Sequence, residues 1–470
     1  MSRRIQWGIF ILIIGMLLGA CRAPEASGTP STPVPAAPVP AVTPTAPAPL
    51  TRPNIVLIIS DDQRYDSMDY MPITKSRIFD QGVTFTRAYV TTPLCCPSRA
   101  SILTGLYAHN HHAYDNFTMP DQPTVVEALH EAGYYTGLVG KYLNPWSDKV
   151  RPEFDYWVAY DGHTGSKIYF NPKLNINGKR HTIHGYVTSI LQDYALEFFS
   201  QAQRQAKPFF LIFAPNAPHY PADPAPGDEN LYPDLPPARP PNYMEKDLSD
   251  KPVWIQKNRA ADPNTMDDLH RKQLQSLHSL DVAVGKMLDA LHENGQDQNT
   301  LVIYLSDNGL FLGEHRIDGK EMVYEEAVRV PFAVWYPPLV PKPLVESQLV
   351  ANIDIAPTIY ELAGVPTPGE MDGQSLVPLL KSPTADWRTW LLLEAWPWPH
   401  SWRAIRTDNY LYVETAGDIS ELYDTVNDPY ELQNQYRNAA YAATVKELAS
   451  TLRSLNLGAP LTQPASFGKE

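Results

Sequence analysis

Asp61-Asp62 and Asp307-Asn308 each follow directly on a short apolar run, Asn54–Ser60 and Leu301–Ser306. If those runs are buried strands, both pairs collect at one rim, where their side-chain oxygens are hard ligands suited to Ca²⁺ or Mg²⁺. Neither pair contains histidine or cysteine, which disfavours zinc and copper. Taken singly, each pair also reads as an ordinary turn after a strand, because Asp and Asn bond their own backbone there. A third group is Leu94-Cys95-Cys96-Pro97-Ser98-Arg99, running on to Thr104-Gly105. Pro97 suits a first helical turn, where a missing N–H is harmless, and this spacing predicts Cys95 just before a helix N-terminus. Such a terminus attracts anions, and Arg99 adds a planar fork for an oxyanion. The plain alternative for Cys95-Cys96 is a buried, inert thiol pair. A redox pair is disfavoured, since vicinal cysteines rarely form a relaxed bridge and no CxxC spacing exists. His109, His111 and His112 with the two cysteines offer a zinc-binding alternative.

The elements that must position these groups alternate. Asn54–Ser60, Pro208–Phe213 and Leu301–Ser306 are continuous apolar runs of strand length, the pattern of strands buried on both faces, and Val330–Trp335 is a fourth. Between them, Thr124–Ala132, Val187–Ala202 and Met266–Asn294 carry apolar residues at helical spacing. Strands separated by helices predict an α/β doubly wound sheet, on which ligands bind beyond the carboxyl ends of the strands. After residue 385 the texture changes to Trp-rich segments and short alternating strands such as Tyr410–Glu414, closing on a helix over Ala439–Leu455. That predicts a small antiparallel subdomain. Pro215–Pro241 holds ten prolines and no plausible helix, and a loop of that length in a compact domain is read as functional.

The composition narrows the function classes. The 470 residues include 38 basic and 52 acidic, a net charge of −14 with no basic stripe, which excludes nucleic acid as a partner. Three cysteines exclude a disulfide framework, and no repeat suggests a solenoid. Arg3 and Arg4 precede an apolar run, Trp7–Leu18, that is short for a membrane span and has the form of a secretory signal. It ends in Leu18-Gly19-Ala20-Cys21, which resembles a bacterial lipobox with Cys21 as the lipidated residue. Removing residues 1–20 leaves 36 basic against 52 acidic residues, a charge of −16. Nine prolines among Ala, Thr and Ser make residues 22–50 an extended spacer. The expected organisation is a signal over 1–20, a lipidated linker over 21–52, a catalytic domain over 53–384 and a C-terminal subdomain over 385–470. The expected location is outside the cytoplasm, anchored by lipid to a bacterial membrane.

Cys95-Cys96-Pro97-Ser98-Arg99 with Thr104-Gly105 resembles the signature of type I sulfatases, Cys-x-Pro-Ser-Arg with a downstream Thr-Gly. Further blocks match in order: Asn54–Asp62, Val139–Asn144, Ala217-Pro218-His219, Ser306–Gly309, Gly313-Glu314-His315, Tyr324–Pro331, Asn352–Ala363 and Glu421–Glu431. The resemblance spans about 53–436 and implies an alkaline-phosphatase-like mixed sheet flanked by helices. It implies that a formylglycine-generating enzyme oxidises Cys95 to formylglycine, whose hydrate attacks sulfur beside one Ca²⁺. A hydrated aldehyde would offer that ion hard oxygens, where a thiol is a soft, poorly matched ligand. The resemblance further implies Asp61, Asp62, Asp307 and Asn308 as metal ligands with Cys95, and Arg99 as the group that stabilises the hydrate. Lys141 and Lys320 would clamp the sulfate, and His219 would protonate the leaving oxygen.

Many members carry a histidine two residues after the lysine of the Gly-Lys block, where this chain has Leu143. Gly140-Lys141-Tyr142-Leu143-Asn144 instead resembles the branch of N-acetylglucosamine-6-sulfatases and heparan endosulfatases, and Asn144 is the candidate substitute at the substrate. The expected activity is therefore release of sulfate from a sulfated carbohydrate, such as N-acetylglucosamine 6-O-sulfate. An arylsulfatase, a phosphonate or phosphoester hydrolase, and a non-catalytic sugar-binding surface lipoprotein are the other readings. Two-zinc phosphatase chemistry is disfavoured, because Asn308 stands where a histidine would be expected.

Overall fold

The computed structural model describes residues 52–144, 149–162, 168–258, 260–382, 384–396, 400–455 and 457. Cys21 and the expected leader and linker up to residue 51 lie outside these residues. Ten strands form one mixed sheet: β1 (Asn54–Ser60), β2 (Val83–Phe85), β3 (Tyr135–Gly140), β4 (Tyr156–Tyr160), β5 (Lys173–Ile176), β6 (Lys179–Thr182), β7 (Phe209–Ala214), β8 (Thr300–Ser306), β9 (Phe332–Trp335) and β10 (Leu344–Glu346). Their spatial order is β10-β2-β9-β8-β1-β7-β3-β4-β5-β6. The five central strands, β8-β1-β7-β3-β4, run parallel, while β9 on one side and β5 on the other are antiparallel.

The apolar run of β1 is continuous because both its faces are covered. Ile55, Leu57 and Ile59 enter one core and Val56 and Ile58 the other. The first core is roofed by α1 (Cys95–Thr104), α2 (Val125–Glu131) and, further along the chain, the helix Ile355–Ala363. The second is roofed by α3 (Val187–Gln203) and α4 (Pro263–Glu293), through Leu191, Phe198, Leu277, Leu280 and Val284. Each such aliphatic side chain withdrawn from water contributes about 1.5–3 kcal/mol before its entropy cost. The ends of α4 follow local rules: Asp262 caps it by accepting from the Asn264 N–H, and Pro263 takes the first position.

The expected elements are found within a few residues of their sequence bounds. Val330–Trp335 is trimmed to β9, whose antiparallel direction periodicity does not reveal. β3 escapes the periodicity reading because Tyr135–Gly140 (YTGLVG) interrupts its apolar run with glycines and a threonine. Residues 215–241 contain no helix, as expected.

Beyond residue 385, β11 (Trp390–Ala395), β12 (Trp402–Thr407), β13 (Tyr410–Thr415) and β14 (Glu421–Asp424) form an antiparallel sheet. One face shares a core with Tyr89, Phe311, Tyr324, Val328 and Ile353 of the main body. The other is covered by the helix Ala442–Ser454 through Leu448, Ala449 and Leu452. Residues from 52 onward thus belong to one compact unit, in which the C-terminal sheet is a side wall.

Candidate active site

Parallel register builds the site. Ser60 of β1 pairs with Ser306 of β8, so the residues leaving these adjacent strands, Asp61-Asp62 and Asp307-Asn308, emerge side by side. Gly140 of β3 pairs with Ala214 of β7, so Lys141 and the proline-rich loop leave at the same rim. Gly140 has φ 117°, and a Cβ there would lie 2.1 Å from the Ala214 carbonyl oxygen, so only glycine allows this close approach. Asp62, with φ 63°, turns the chain sharply enough to return its carboxylate to the cluster. The Asp62 N–H donates to Asp307 Oδ1 at 3.1 Å, and Asn308 Nδ2 donates to Asp62 Oδ1 at 2.7 Å.

Cys95 is the first residue of α1 rather than the residue before it. Pro97 therefore sits one place further in, at the third helical position, where it still displaces no helical hydrogen bond. The helix is buried throughout and carries Cys95 and Arg99 into the rim together. The Cys95 thiol donates to Asp61 Oδ1 at 3.6 Å, and Lys320 Nζ donates to Cys95 Sγ at 2.8 Å and also to Asp62. Lys141 Nζ donates to Asp61 Oδ2 at 2.6 Å. Arg99 Nε donates to Asp307 Oδ2 at 2.8 Å and Nη1 to the Lys141 carbonyl at 2.8 Å. Cys96 faces elsewhere: its thiol donates to the Thr118 carbonyl and its N–H to Asn116 Oδ1.

His219 Nδ1 donates to the Tyr220 carbonyl at 2.6 Å, which leaves Nε2 facing the site, 3.7 Å from Asp62 Oδ2. Its loop is held by the Tyr169 hydroxyl, which donates to the His219 carbonyl at 2.7 Å. Gln273 of α4 ties the same region, its Nε2 donating to the Pro218 carbonyl at 3.3 Å. Sequence reasoning did not single out Gln273; its one signal is an amide at an otherwise apolar position of a long amphipathic helix.

Burial opposes the charge on Asp61, but Lys141, His219 and Arg99 outweigh it and hold the carboxyl at about 2. Burial likewise opposes ionisation of Asp62, and Lys320 and His219 reverse it, so its pKa also falls. Burial works against the charge of Lys141 and Lys320, and Asp61 and Asp62 respectively overcome it, so both lysines stay cationic. The Cys95 thiol is pushed up to about 12 by burial, against the pull of Lys141 and Lys320. An unmodified Cys95 is thus neutral at ordinary pH, a poor nucleophile and a soft ligand.

The donor set fits a hard cation. Ligand atoms of Asp61, Asp62, Cys95 and His219 lie within 4.8 Å of one another, and Asp307 and Asn308 are bonded into the same cluster. Asn308 Oδ1 is buried with no hydrogen-bond partner, an acceptor whose desolvation a cation would offset. Three carboxylates (Asp61, Asp62, Asp307) face three cations (Arg99, Lys141, Lys320), so a divalent ion would leave the rim positive enough to receive an anionic ester. Arg99 Nη2 is also buried, 3.9 Å from Asp61 Oδ2 but with no hydrogen-bond partner among the described residues, a donor available to an oxyanion.

The zinc alternative does not survive. His109 Nδ1 bonds Glu394 at 2.7 Å, His111 Nε2 bonds the Ser101 hydroxyl at 3.0 Å, and His112 Nδ1 bonds Asp121 at 2.9 Å. These three histidines point to three different partners. Leu143 is fully buried in the core, and Asn144 is half-buried.

The sulfatase family model matches residues 53–365, and a model described as N-sulphoglucosamine sulphohydrolase, C-terminal, matches residues 313–457. The chain is 35% identical over 419 residues to the extracellular sulfatase SULF-1 homolog of Drosophila melanogaster, an alignment covering 83% of this chain. It spans 35% of that relative's length. It is 29% identical over 483 residues to the N-acetylglucosamine-6-O-sulfatase of Bacteroides thetaiotaomicron, covering 85% of this chain and 86% of that one. A solved structure described as a complex with its substrate D-glucosamine-2-N,6-O-disulfate superposes with a TM-score of 0.78 at 27% identity, over 86% of this chain and 98% of the other. The mixed sheet and flanking helices are accordingly the sulfatase and alkaline-phosphatase-like fold. With the family match running through the strands, helix and loops that build this rim, the chain belongs to the sulfatase family.

Proposed function

We propose that this protein is a sulfuric ester hydrolase that releases sulfate from a sulfated carbohydrate, with N-acetylglucosamine 6-O-sulfate of a glycosaminoglycan as its substrate class. The carrying observation is that Cys95, Lys320 and the Asp61-Asp62 pair meet at one buried point on the sheet rim. The sugar assignment draws on the activity named for the Bacteroides relative and on the ligand of the substrate-bound structure.

Asp61, Asp62, Asp307 and Asn308 would hold one Ca²⁺ together with the modified Cys95, and the ion would supply charge neutralisation at the sulfuryl oxygens. Formylglycine at Cys95 would supply a nucleophilic hydrate oxygen, dividing hydrolysis into transfer of sulfate to the enzyme and its release. Lys141 and Lys320, held cationic by their carboxylates, would turn toward the sulfate of a bound ester and fix its orientation. Arg99 would use Nη2 to hold the hydrate. His219, with Nδ1–H engaged by the Tyr220 carbonyl, would deliver a proton from Nε2 to the departing alcohol. Asn144 would contact the sugar in place of the histidine replaced by Leu143. The leader would place the enzyme outside the cytoplasm, lipid-anchored through Cys21, and the oxidation of Cys95 would require a formylglycine-generating enzyme in the same host.

Two measurements test this reading. Mass analysis of the peptide spanning Cys95, from protein made in its host, is expected to show a loss of roughly 18 Da, sulfur exchanged for oxygen with two hydrogens removed. Free sulfate is then measured over a panel of sulfated mono- and oligosaccharides, an aryl sulfate and a phosphonate ester. Sulfate from the 6-O-sulfated N-acetylglucosamine substrates is expected; an unmodified thiol, or turnover of the aryl sulfate or phosphonate alone, refutes the assignment.

A further inference from the structure

A second buried cluster lies behind the first, and the chemistry above does not use it. His315, Glu326 and Glu431 bring one ligand atom each to within 4.8 Å of one another, and all three are buried. His315 comes from the loop that goes on to Lys320, Glu326 from the short helix Glu325–Val328, and Glu431 from the segment after β14. Three acceptor atoms in this small space have no hydrogen-bond partner: Glu326 Oε2, Glu431 Oε1 and the Oδ1 of fully buried Asn242. The Asn242 amide belongs to the cluster, since its Nδ2 donates to Glu326 Oε1 at 2.9 Å and lies 3.2 Å from His315 Nε2. An acceptor left desolvated and unpaired carries the full desolvation penalty of its group.

The charges around the cluster do not close without another cation. Arg64 pairs with Glu314 at 3.0 Å, Lys251 with Glu245 at 3.5 Å and Arg406 with Glu325 at 2.9 Å. Neither Glu326 nor Glu431 has a Lys or Arg among the described residues at ion-pair distance. A proton shared between them would satisfy two of the three orphaned oxygens and leave the amide oxygen unpaired. A divalent ion balances both charges, draws the two carboxylate oxygens and, with the Asn242 amide turned over, draws the third. His315 Nδ1 donates to Glu245 Oε2 at 2.6 Å, so its Nε2 lone pair accepts from Asn242 Nδ2, and a half-turn of that amide would free the lone pair and bring Oδ1 toward it and Glu326. A carboxylate behind the imidazole is the arrangement that fixes the tautomer of metal-bound histidines.

We propose that His315 Nε2, Glu326 and Glu431, with Asn242 Oδ1 as fourth ligand once its amide turns over, form a second, closed metal site that takes Zn²⁺. One imidazole nitrogen among oxygens suits a borderline ion better than Ca²⁺, and four protein ligands with no open position make the site structural. The ion ties the segment after β14 to the loop that carries Lys320, so it holds a sulfate-clamping lysine at a distance without touching substrate.

The test is metal analysis of the intact protein purified from zinc-supplemented culture, with sulfatase activity not used as the readout. Wild type is expected to carry about one zinc per chain, and Glu326→Gln and Glu431→Gln to lose it. Glu245→Gln, which keeps every ligand, is expected to weaken zinc affinity about 10–100-fold, measured by competition with a chromophoric chelator. Asp307→Asn is expected to keep its zinc. Because a ligand variant can fail by unfolding, wild type is also stripped with chelator and reloaded with Co²⁺, whose ligand-field absorption is expected to match a four-coordinate N/O site. Absence of zinc from wild type, retention of zinc in folded Glu326→Gln and Glu431→Gln, or its loss from Asp307→Asn overturns the proposal. The first two outcomes leave the reading of the Cys95 site untouched, whereas loss of zinc from Asp307→Asn places the zinc at that rim.

Discussion

The two cysteines differ only in what their side chains face. Cys95 Sγ lies against Asp61 and Lys320, whereas Cys96 Sγ lies against the Thr118 carbonyl on the far side of the helix start. A successor to the Cys95 thiol therefore sits among charges that can use it, and a successor to Cys96 does not. Cys95→Ala is expected to abolish turnover, at least a 10³-fold fall in kcat/KM, because no other side chain at the rim supplies the nucleophile. Cys96→Ala is expected to stay within about tenfold of wild type, its cost being a small packing loss. Steady-state kinetics on the same sulfated substrate decide this, and equal losses in both variants contradict the assignment.

Individual strands and loops set how far these side chains can stray. The β3 end is held to β7 by the contact at Gly140, where an added methyl group meets backbone rather than a movable side chain. Gly140→Ala is expected to destabilise the fold by about 3 kcal/mol and to displace Lys141, so that activity falls more than thermal stability alone explains. Denaturant titration beside kinetics separates the two losses. At the seam between the main body and the C-terminal sheet, Glu421 accepts from the Tyr324 and Tyr423 hydroxyls, and burial raises its pKa from 4.5 to about 7. A raised carboxyl pKa means that the folded protein favours the protonated form. That stabilisation is complete below pH 4.5 and is lost as pH rises through about 7. Glu421→Gln is expected to flatten this part of the stability–pH curve, measured by denaturant unfolding between those limits. An unchanged slope in the variant means that other groups produce it.

Across the whole molecule, a net charge of −14 opposes the approach of a sulfated, anionic ligand, while the rim itself gathers Arg99, Lys141 and Lys320. Repulsion acts over the distance between surface and substrate, whereas attraction acts within a few ångströms. Raising ionic strength from about 0.01 M to about 0.1 M shortens the screening length from about 30 Å to about 10 Å, which suppresses the first far more than the second. kcat/KM for a multiply sulfated oligosaccharide is therefore expected to rise across that range, and a monotonic fall would show that long-range attraction governs encounter instead.

Composition and local pattern alone determined a doubly wound sheet, its four principal apolar strands, its long helices, the two acid pairs and the cysteine motif. Those features follow from short-range rules: buried strands need unbroken apolar runs, helices need their periodicity and caps, and turns after strands favour Asp and Asn. Lys141, His219 and Lys320 were placed through resemblance, since nothing local separates a lysine under 5% exposed, as Lys141 is, from one on the surface. Only the folded chain decided that Cys95 begins its helix, that three histidines spread to three partners, and that Gln273 braces the histidine loop. The same holds for His315, Glu326 and Glu431, which are separated by more than a hundred residues at the extremes and meet only when the C-terminal segment closes on the main sheet. Register between distant parallel strands sets which side chains become neighbours, and that pairing belongs to the whole chain's packing, to which no short window of residues has access.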